Sequence, residues 1–200
     1  MNNIPIVLLA AGASSRMGQP KPLLPWGEQT LIEHQINTLL AIGNPVVVVL
    51  GNQSESIIPI LQGLPVEFTI NENWEQGMGT SIAAGVKFIQ QIYTDCNGVM
   101  ITLIDQPLIT TDHLNNLVTN FEPENQQIIV SQADSGWQGV PVLFDRFYFE
   151  ELSKLSGKEG AKVIFRNYTQ HVKAISCGEI PEDMDTPESY QRLLNRVKNS

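Results

Sequence analysis

The chain has 200 residues, of which 42% are hydrophobic and 16% are charged, and its formal net charge at pH 7 is −9. This length is enough to bury a hydrophobic core without metals or disulfides, so we expect a single domain over residues 1–200. The excess of acidic residues argues against a nucleic-acid-binding protein, because that role needs a basic surface to meet the phosphates.

Neither export nor a membrane is indicated by the sequence. No segment is long and apolar enough to span a bilayer, and no basic region precedes the first apolar run, as it would in a signal peptide. The two cysteines, Cys96 and Cys177, are far apart and show no metal-ligand spacing. We therefore expect a cytoplasmic protein with reduced thiols and no membrane partner.

Short apolar runs alternate with helical patterns along the chain. The first half predicts a strand at 4–10, a helix that Thr30 begins and Gly43 ends, a strand at 45–50, a short helix at 54–61, a strand at 66–70 and a helix at 81–92. The second half predicts a strand at 99–104, a helix at 111–121 capped by Thr111 or Asp112, strands at 127–131 and 142–144, helices at 146–155 and 159–168, a strand at 171–175 and a helix from Pro187 to about Val197.

This alternation predicts an α/β fold, a three-layer α/β/α sandwich around a mostly parallel sheet. In such sheets ligands bind beyond the carboxyl ends of the strands. The loops after the first and fourth predicted strands, residues 11–21 and 105–108, are therefore the first candidates for a binding site.

The first of these loops combines small and basic residues. It reads Leu9-Ala10-Ala11-Gly12-Ala13-Ser14-Ser15-Arg16-Met17-Gly18-Gln19-Pro20-Lys21. Small residues let a ligand approach the backbone, whose N–H groups can bind phosphate oxygens, and Arg16 and Lys21 supply the charge that a triphosphate needs. The loop matches neither a Walker A sequence nor the dinucleotide-binding motif. A tight turn with two solvated basic residues explains the same composition.

Two acidic positions are candidate Mg²⁺ ligands. Asp105 follows an apolar strand, where its carboxylate would face the ligand crevice, and Asp185 stands just before the last predicted helix. Mg²⁺ prefers one or two carboxylates together with substrate phosphates and water. The alternative for Asp105 is a cap on the turn into Pro107, and the alternative for Asp185 is a favourable interaction with the helix dipole.

Further glycine-containing segments are candidate walls of a binding site. Gly77-Met78-Gly79-Thr80-Ser81 forms a turn into a helix, where Thr80 and Ser81 could cap the helix or touch a ligand. Residues 136–141 and 157–160 could contact a second substrate or be simple turns. The three histidines, His34, His113 and His171, have no ligand spacing, and no serine, histidine and acid can be assembled into a hydrolase triad.

Taken together, these segments resemble the signature of the MobA-like nucleotidyltransferases. The first loop continues as Lys21-Pro22-Leu23-Leu24, and matching segments follow at residues 71–81, at Asp105-Gln106-Pro107-Leu108, at Ser156-Gly157-Lys158-Glu159-Gly160-Ala161 and at Asp185-Thr186-Pro187-Glu188. The resemblance spans nearly the whole chain, and within the superfamily the sequence is most similar to the molybdenum cofactor cytidylyltransferases.

The resemblance implies a Rossmann-like fold of the nucleotide-diphospho-sugar transferase type and a Mg²⁺-dependent transfer of a nucleoside monophosphate. The implied nucleotide-binding residues are Leu9, Ala10, Ala11, Gly12, Ser14, Arg16, Lys21, Gly77, Met78, Gly79 and Ser81. Arg16, Lys21 and Asp105 are the implied catalytic residues, and Asp105 and Asp185 the implied metal ligands. Ala10-Ala11 is similar to the cytidylyl members, which favours CTP over GTP.

The implied acceptor is a phosphorylated compound, with molybdopterin favoured and a molybdoenzyme as a further partner. Two positions depart from the family pattern: Val140 stands where relatives often carry histidine, and Gln106 where methionine is frequent. Two alternatives remain open. One is transfer to a sugar or polyol phosphate, and the other is a non-catalytic accessory protein that binds nucleotide or cofactor for molybdoenzyme maturation.

Overall fold

The structure is a computed structural model that describes residues 3–179 and 182–198. Its strands are β1 (Ile6–Ala10), β2 (Pro25–Trp26), β3 (Gln29–Thr30), β4 (Val46–Leu50), β5 (Glu67–Ile70), β6 (Gly98–Leu103), β7 (Ile128–Ala133), β8 (Gln138–Asp145) and β9 (Val172–Gly178). Its helices are α1 (Leu31–Leu40), α2 (Ser54–Leu61), α3 (Met78–Ile92), α4 (Thr111–Thr119), α5 (Phe149–Leu152), α6 (Lys162–Asn167) and α7 (Pro187–Lys198).

Seven of the strands in the described ranges form one sheet in the order β5-β4-β1-β6-β8-β7-β9. Neighbouring strands run parallel except for β8, which is antiparallel to both β6 and β7. The expected mostly parallel sheet is thus confirmed. Because β1 lies between β4 and β6, the loops that follow β1 and β6 leave the same edge of the sheet side by side.

Each face of the sheet carries its own hydrophobic core, which gives the three layers. Along β1 the side chains alternate: Ile6 and Leu8 pack with α1, α2, α4 and α7, whereas Val7 and Leu9 pack with α3, α5 and α6. Both sets of strand residues are buried, as expected for a sheet covered on both sides. The rigid layers hold the loops at the carboxyl edge in fixed positions.

The N-terminal cap of α1 agrees with the sequence-based prediction, whereas that of α4 differs from it by one residue. Thr30 caps α1, and the predicted capping box is present: the Glu33 N–H donates to the Thr30 hydroxyl, and the Glu33 carboxylate accepts from the Thr30 N–H. The cap of α4 is Thr110, whose hydroxyl accepts from the His113 N–H, and not Thr111 or Asp112. The prediction missed the cap by one position because Thr111 already has helical geometry.

Several predicted elements have different bounds in the structure. The expected short strand at 142–144 is the eight-residue strand β8, and the expected helix at 146–155 is a 3-10 turn, Arg146–Tyr148, followed by the single turn of α5. The helix expected at 159–168 begins only at Lys162, because Gly157 and Gly160 have positive φ angles of 73° and 59°. The small hairpin of β2 and β3 was not predicted.

No helix within residues 3–179 and 182–198 has both the length and the apolar content that crossing a bilayer requires.

Candidate active site

The loop after β1 folds back so that Lys21 reaches the end of β6. Ser14 adopts a left-handed conformation with φ of 53°, its carbonyl accepts from the Met17 N–H, and its hydroxyl accepts from the Lys21 N–H at 3.0 Å. Met17 is buried in the core and anchors the middle of the loop. These bonds fix the path of the loop from Ser14 to Lys21.

Lys21 joins two distant carboxylates. Its Nζ lies 3.2 Å from Oδ2 of Asp105 and 2.5 Å from Oδ1 of Asp185, and only 10% of the lysine side chain is exposed. The other oxygen of Asp185 accepts from the Arg16 guanidinium at 2.6 Å. The structure thus brings together the four charged residues that the sequence singled out, Arg16, Lys21, Asp105 and Asp185.

Hydrogen bonds also hold the segment before α7 against the end of β6. The Met184 N–H donates to the backbone carbonyl of Asp105 at 2.8 Å, and Nε2 of Gln106 donates to Oδ1 of Asp183 at 3.0 Å. Met184 itself is fully buried. This backbone contact places Asp185 beside Asp105 although the two residues are far apart in sequence.

The two carboxylates differ in their pKa. Burial raises the pKa of Asp105 above its ordinary value, and the charge of Lys21 offsets this only in part. Burial also acts to raise the pKa of Asp185, but the hydrogen bond and charge of Lys21, with those of Arg16, outweigh it and leave that pKa lowered. Asp185 therefore stays ionised over a wider pH range than Asp105.

One carboxylate oxygen of the site has no hydrogen-bond partner within residues 3–179 and 182–198. Oδ1 of Asp105 is buried and accepts no hydrogen bond from any of the described residues. Nor do the described residues contain a cluster of three or more His, Cys, Asp or Glu side chains that could hold a metal alone. A free carboxylate oxygen beside a second carboxylate fits a divalent cation that completes its shell with phosphate and water oxygens.

The start of α3 forms the opposite wall. A Cβ at Gly77 would lie 2.5 Å from the Gly157 carbonyl oxygen, and one at Gly79 would lie 2.7 Å from that of Ser156. The Gly79 N–H donates to the Gly157 carbonyl at 2.9 Å. These glycines allow the 156–158 loop to lie directly on the helix terminus, so the two glycine-containing segments form one wall.

Between these elements lies a cleft of about 300 Å³, which we call the first cleft. The sequence-predicted residues that line it are Leu9, Ala10, Ala11, Gly12, Ser14, Lys21, Gly77, Met78, Ser81 and Asp105. Arg16, Gly79 and Asp185 do not line it, although the ion pairs described above connect Arg16 and Asp185 to its rim. Trp74, Glu75 and Ile104 also line the cleft and were not singled out from the sequence, although Trp74 and Glu75 belong to the noted segment 71–81.

A second cleft, of about 310 Å³, adjoins the first. Met78 and Leu103 line both, so the two spaces meet across α3 and the end of β6. Gln106 and Val140, the two positions that depart from the family pattern, both line the second cleft. The sequence had placed the possible wall of a second substrate at residues 136–141 and 157–160, and side chains of both segments contribute to it.

A serine and a histidine do meet, away from both clefts. Nε2 of His113 lies 2.8 Å from Oγ of Ser131, a pairing that the sequence did not reveal. Ser131 is fully buried, and its hydroxyl donates to the Pro141 carbonyl at 2.7 Å. A substrate could not reach this hydroxyl, so the pair does not form a hydrolase nucleophile.

The chain is similar to several known proteins along nearly its whole length. A family model described as the MobA-like NTP transferase domain matches residues 6–173. Nicotine blue oxidoreductase of Paenarthrobacter nicotinovorans is 33% identical over 197 residues, which cover 94% of this chain and 95% of the relative. Purine catabolism protein PucB of Bacillus subtilis (strain 168) is 31% identical over 203 residues, 94% of each chain. A probable molybdenum cofactor guanylyltransferase of Carboxydothermus hydrogenoformans is 25% identical over 203 residues, 97% of this chain and 96% of the relative.

Among solved structures, Rv0371c of Mycobacterium tuberculosis superposes with a TM-score of 0.82 and 26% identity, covering 97% of this chain and 99% of that one. A structure of Rv0371c in complex with manganese gives a TM-score of 0.80 at 23% identity, covering 97% and 98%. With the family model across most of the sequence and the fold shared with these structures, the chain belongs to the MobA-like NTP transferase family.

Proposed function

We propose that the chain is a single nucleotidyltransferase domain that transfers a nucleoside monophosphate from a nucleoside triphosphate to a phosphorylated acceptor and releases pyrophosphate. One observation supports this proposal most strongly. Three charged side chains from distant segments, Lys21, Asp105 and Asp185, meet at the mouth of the first cleft. A tight turn with solvated basic residues would not bury Lys21 or aim it at two carboxylates.

The triphosphate lies along the loop after β1 in this proposal. Backbone N–H groups near Gly12 and Ser14 bind phosphate oxygens, and Lys21 and Arg16 stabilise the negative charge that develops in the transition state. An acceptor phosphate oxygen attacks the α-phosphorus, the bond from that phosphorus to the bridging oxygen breaks, and pyrophosphate leaves with the electron pair. The attacking oxygen is already ionised near neutral pH, so no general base is required.

Asp105 and Asp185 would hold Mg²⁺, and the unpaired Oδ1 of Asp105 fits this role. The ion would supply charge neutralisation for the triphosphate and its leaving group. With a cation bound, the Nζ of Lys21 would exchange its contacts with the two carboxylates for contacts with phosphate oxygens.

We propose CTP as the donor. Ala10 and Ala11 line the floor of the first cleft, and this pair is similar to the cytidylyl members of the family. Gly77, Met78 and Ser81 line the opposite wall, and with Gly79 beneath it they would lie near the base and ribose. We propose molybdopterin as the acceptor, and the support for it is the relative named as a molybdenum cofactor guanylyltransferase.

A second candidate is an oxidoreductase activity, which the name of one 33% identical relative suggests. The charge arrangement favours nucleotidyl transfer, because a buried lysine between two carboxylates serves phosphate and metal chemistry and has no evident use in hydride transfer. Oxidation of NADH or NADPH by the purified chain with a flat aromatic oxidant would favour the second candidate. Activity with neither a redox cofactor nor a nucleotide would favour an accessory protein.

A pyrophosphate-release assay separates these functions. CTP, GTP, ATP and UTP are each tested in Mg²⁺ with molybdopterin, a sugar phosphate or a polyol phosphate as acceptor. We expect release with CTP and molybdopterin, dependent on Mg²⁺. Release only with a sugar or polyol phosphate would refute the acceptor, release only with GTP would refute the base preference, and nucleotide binding without any release would refute the transferase proposal.

A further inference from the structure

Asn71 is a buried polar residue behind the wall of the first cleft. It follows β5, its N–H donates to the Leu50 carbonyl at 2.8 Å, and only 5% of the residue is exposed. Its Nδ2 uses both hydrogens, one on Oγ1 of Thr80 and one on Oγ of Ser81, each at 2.9 Å. Its Oδ1 accepts from the Asn73 N–H at 3.0 Å. This complete pairing holds the side-chain amide in one place.

The orientation of the Asn71 amide is fixed by the backbone. The N–H of Asn73 can only donate, so the side of the amide that faces it must be the carbonyl oxygen. The NH₂ group is then committed to the two hydroxyls on its other side. Ser81 must therefore receive the Asn71 bond on a lone pair, and its own hydroxyl hydrogen points away from Asn71.

The hydroxyl hydrogen of Ser81 has no acceptor within residues 3–179 and 182–198. A serine in a helix usually donates to the carbonyl four residues earlier, but that carbonyl, of Gly77, already accepts from the N–H of Thr80 at 3.1 Å and from its hydroxyl at 2.9 Å. Ser81 is only 5% exposed, and of the two clefts it lines only the first. A buried O–H group without an acceptor on a cleft wall fits a ligand that brings an acceptor atom.

We propose that Asn71 is a positioning residue for recognition of the base. By donating to Ser81, it commits the Ser81 hydroxyl to act as a hydrogen-bond donor in the first cleft, so the site selects a base that presents a carbonyl oxygen or an unprotonated ring nitrogen. The inference rests on the proposed function, since it concerns the nucleotide that the first cleft would bind.

A hydroxyl of fixed polarity distinguishes between bases. The Watson–Crick edge of cytosine presents acceptors at O2 and N3, where guanine carries hydrogens on N2 and N1. An O–H aimed at an N–H leaves two buried donors facing each other, and both lose the hydrogen bonds that they made to water. The bond between Asn71 and Ser81 therefore favours cytosine over guanine, which is a reason for CTP that does not depend on Ala10 and Ala11.

The binding of two triphosphates tests the role of Ser81. One is CTP, and the other is the C-nucleoside triphosphate whose base is a phenyl ring, which keeps the ribose, the triphosphate and a flat ring but has no acceptor atom in that ring. Each is titrated by calorimetry into the full chain with Mg²⁺. We expect the wild type to bind CTP at least about 10-fold more tightly than the phenyl analogue, and Ser81→Ala to lower this discrimination by at least about 5-fold.

Asn71→Asp reverses the polarity of the contact. A carboxylate oxygen replaces Nδ2 and accepts the Ser81 hydrogen, so the discrimination should again fall by at least about 5-fold. The added charge acts on both probes alike, because they carry the same triphosphate. Asn52→Asp is the matched control: it adds the same charge, but the Nδ2 of Asn52 donates to the Ala13 carbonyl and not to Ser81, so the wild-type discrimination should remain.

The double variant separates positioning from a merely structural effect. In the Ser81→Ala background, Asn71→Asp should lower the discrimination no further, because no hydroxyl is left to orient. A structural effect would weaken both probes together and leave their ratio unchanged. A further loss of discrimination in the double variant, or equal binding of the two probes by the wild type, would overturn the proposal.

Asn71→Ala covers the case in which Asn71→Asp does not fold. It adds no charge but leaves the Ser81 hydroxyl free to rotate, so the discrimination should fall by at least about 2-fold, and an unchanged ratio would overturn the proposal. The transferase function fails separately. If the discrimination depends on Asn71 while no acceptor yields pyrophosphate, the base site stands without it; if release continues without discrimination, only the role of Asn71 is refuted. CTP that does not bind the wild type would refute both.

Discussion

Lys21 is the residue on which the charge balance of the first cleft depends. Its ammonium group lies between two carboxylates that would otherwise repel each other, and its side chain is nearly buried. The position of Lys21 and Asp105 beside the first cleft could be predicted from the sequence, because each lies in a loop that follows a strand ending at that edge of the sheet. Their direct ion pair could not, because it depends on how the 11–21 loop folds back through Ser14.

Replacing Lys21 with alanine tests this role. We expect Lys21→Ala to fold but to lower kcat/KM for pyrophosphate release by about 100-fold or more, because it removes a cation from the proposed phosphate site. Lys87→Ala, on the exposed face of α3, is the control and should behave like the parent. Near-parental turnover by Lys21→Ala would remove Lys21 from the mechanism.

Asp105 should show a conflict between stability and activity. Its pKa is raised in the folded chain, so the ionised carboxylate opposes folding at pH values above that pKa, and this cost disappears as the pH falls below the ordinary carboxyl range. Asp105→Asn should therefore melt at a higher temperature than the parent at pH 7–8 without metal, and the difference should shrink towards pH 4.

The same variant should lose Mg²⁺-dependent activity by at least about 100-fold, because an amide is a poor ligand for Mg²⁺. Melting curves across this pH range, with the exposed Asp95→Asn as control, measure the first effect, and a Mg²⁺ titration of pyrophosphate release measures the second. A variant less stable than the parent at pH 8 would contradict the pKa argument. Parental activity across the titration would contradict the metal assignment.

At the scale of elements, the contact between the start of α3 and the 156–158 loop defines the wall shared by the two clefts. The sequence predicted α3 to begin at residue 81, because Gly77-Met78-Gly79 looked like a turn, but the helix begins at Met78. Gly77 and Gly79 are required because the 156–158 loop, which is distant in sequence, lies directly against them. Local helix and turn propensities do not predict such a contact. The length of β8 was underestimated for a similar reason, because its pairing with β6 and β7 extends a weak local pattern.

Adding one methyl group to this contact should be costly. We expect Gly79→Ala to lower the free energy of unfolding by about 1–3 kcal/mol and to raise the KM for CTP, because its Cβ would lie 2.7 Å from the Ser156 carbonyl oxygen and the loop must move. Gly63→Ala is the control, since its nearest atom is 3.7 Å away. Urea denaturation measures the free energies of unfolding. Equal urea midpoints for Gly79→Ala and Gly63→Ala would contradict this prediction, because they would show that the 156–158 loop moves at no cost in free energy.

At the scale of the whole molecule, the sheet order explains why three distant segments make one site. The parallel strands β1 and β6 are neighbours, so the loops after them emerge together, and the bond from the Met184 N–H to the Asp105 carbonyl brings the segment before α7 to the same edge. The α/β class could be predicted from strand and helix alternation, and so could the edge of the sheet at which the first cleft lies. The partners of Gln106 could not, because Asp183 has no signal of its own beyond a charge near a helix start.

The transfer of CMP labelled in its phosphate tests most directly the claim that the first cleft catalyses nucleotidyl transfer. CTP labelled at the α-phosphorus is incubated with the chain, Mg²⁺ and molybdopterin, and the label is followed together with pyrophosphate. We predict that one label enters the acceptor for each pyrophosphate released, and that Asp105→Asn transfers at most about 1% as much in the same time. Label that stays in CTP or appears as free CMP, or equal transfer by Asp105→Asn, would contradict the assignment of the first cleft as a nucleotidyl-transfer site.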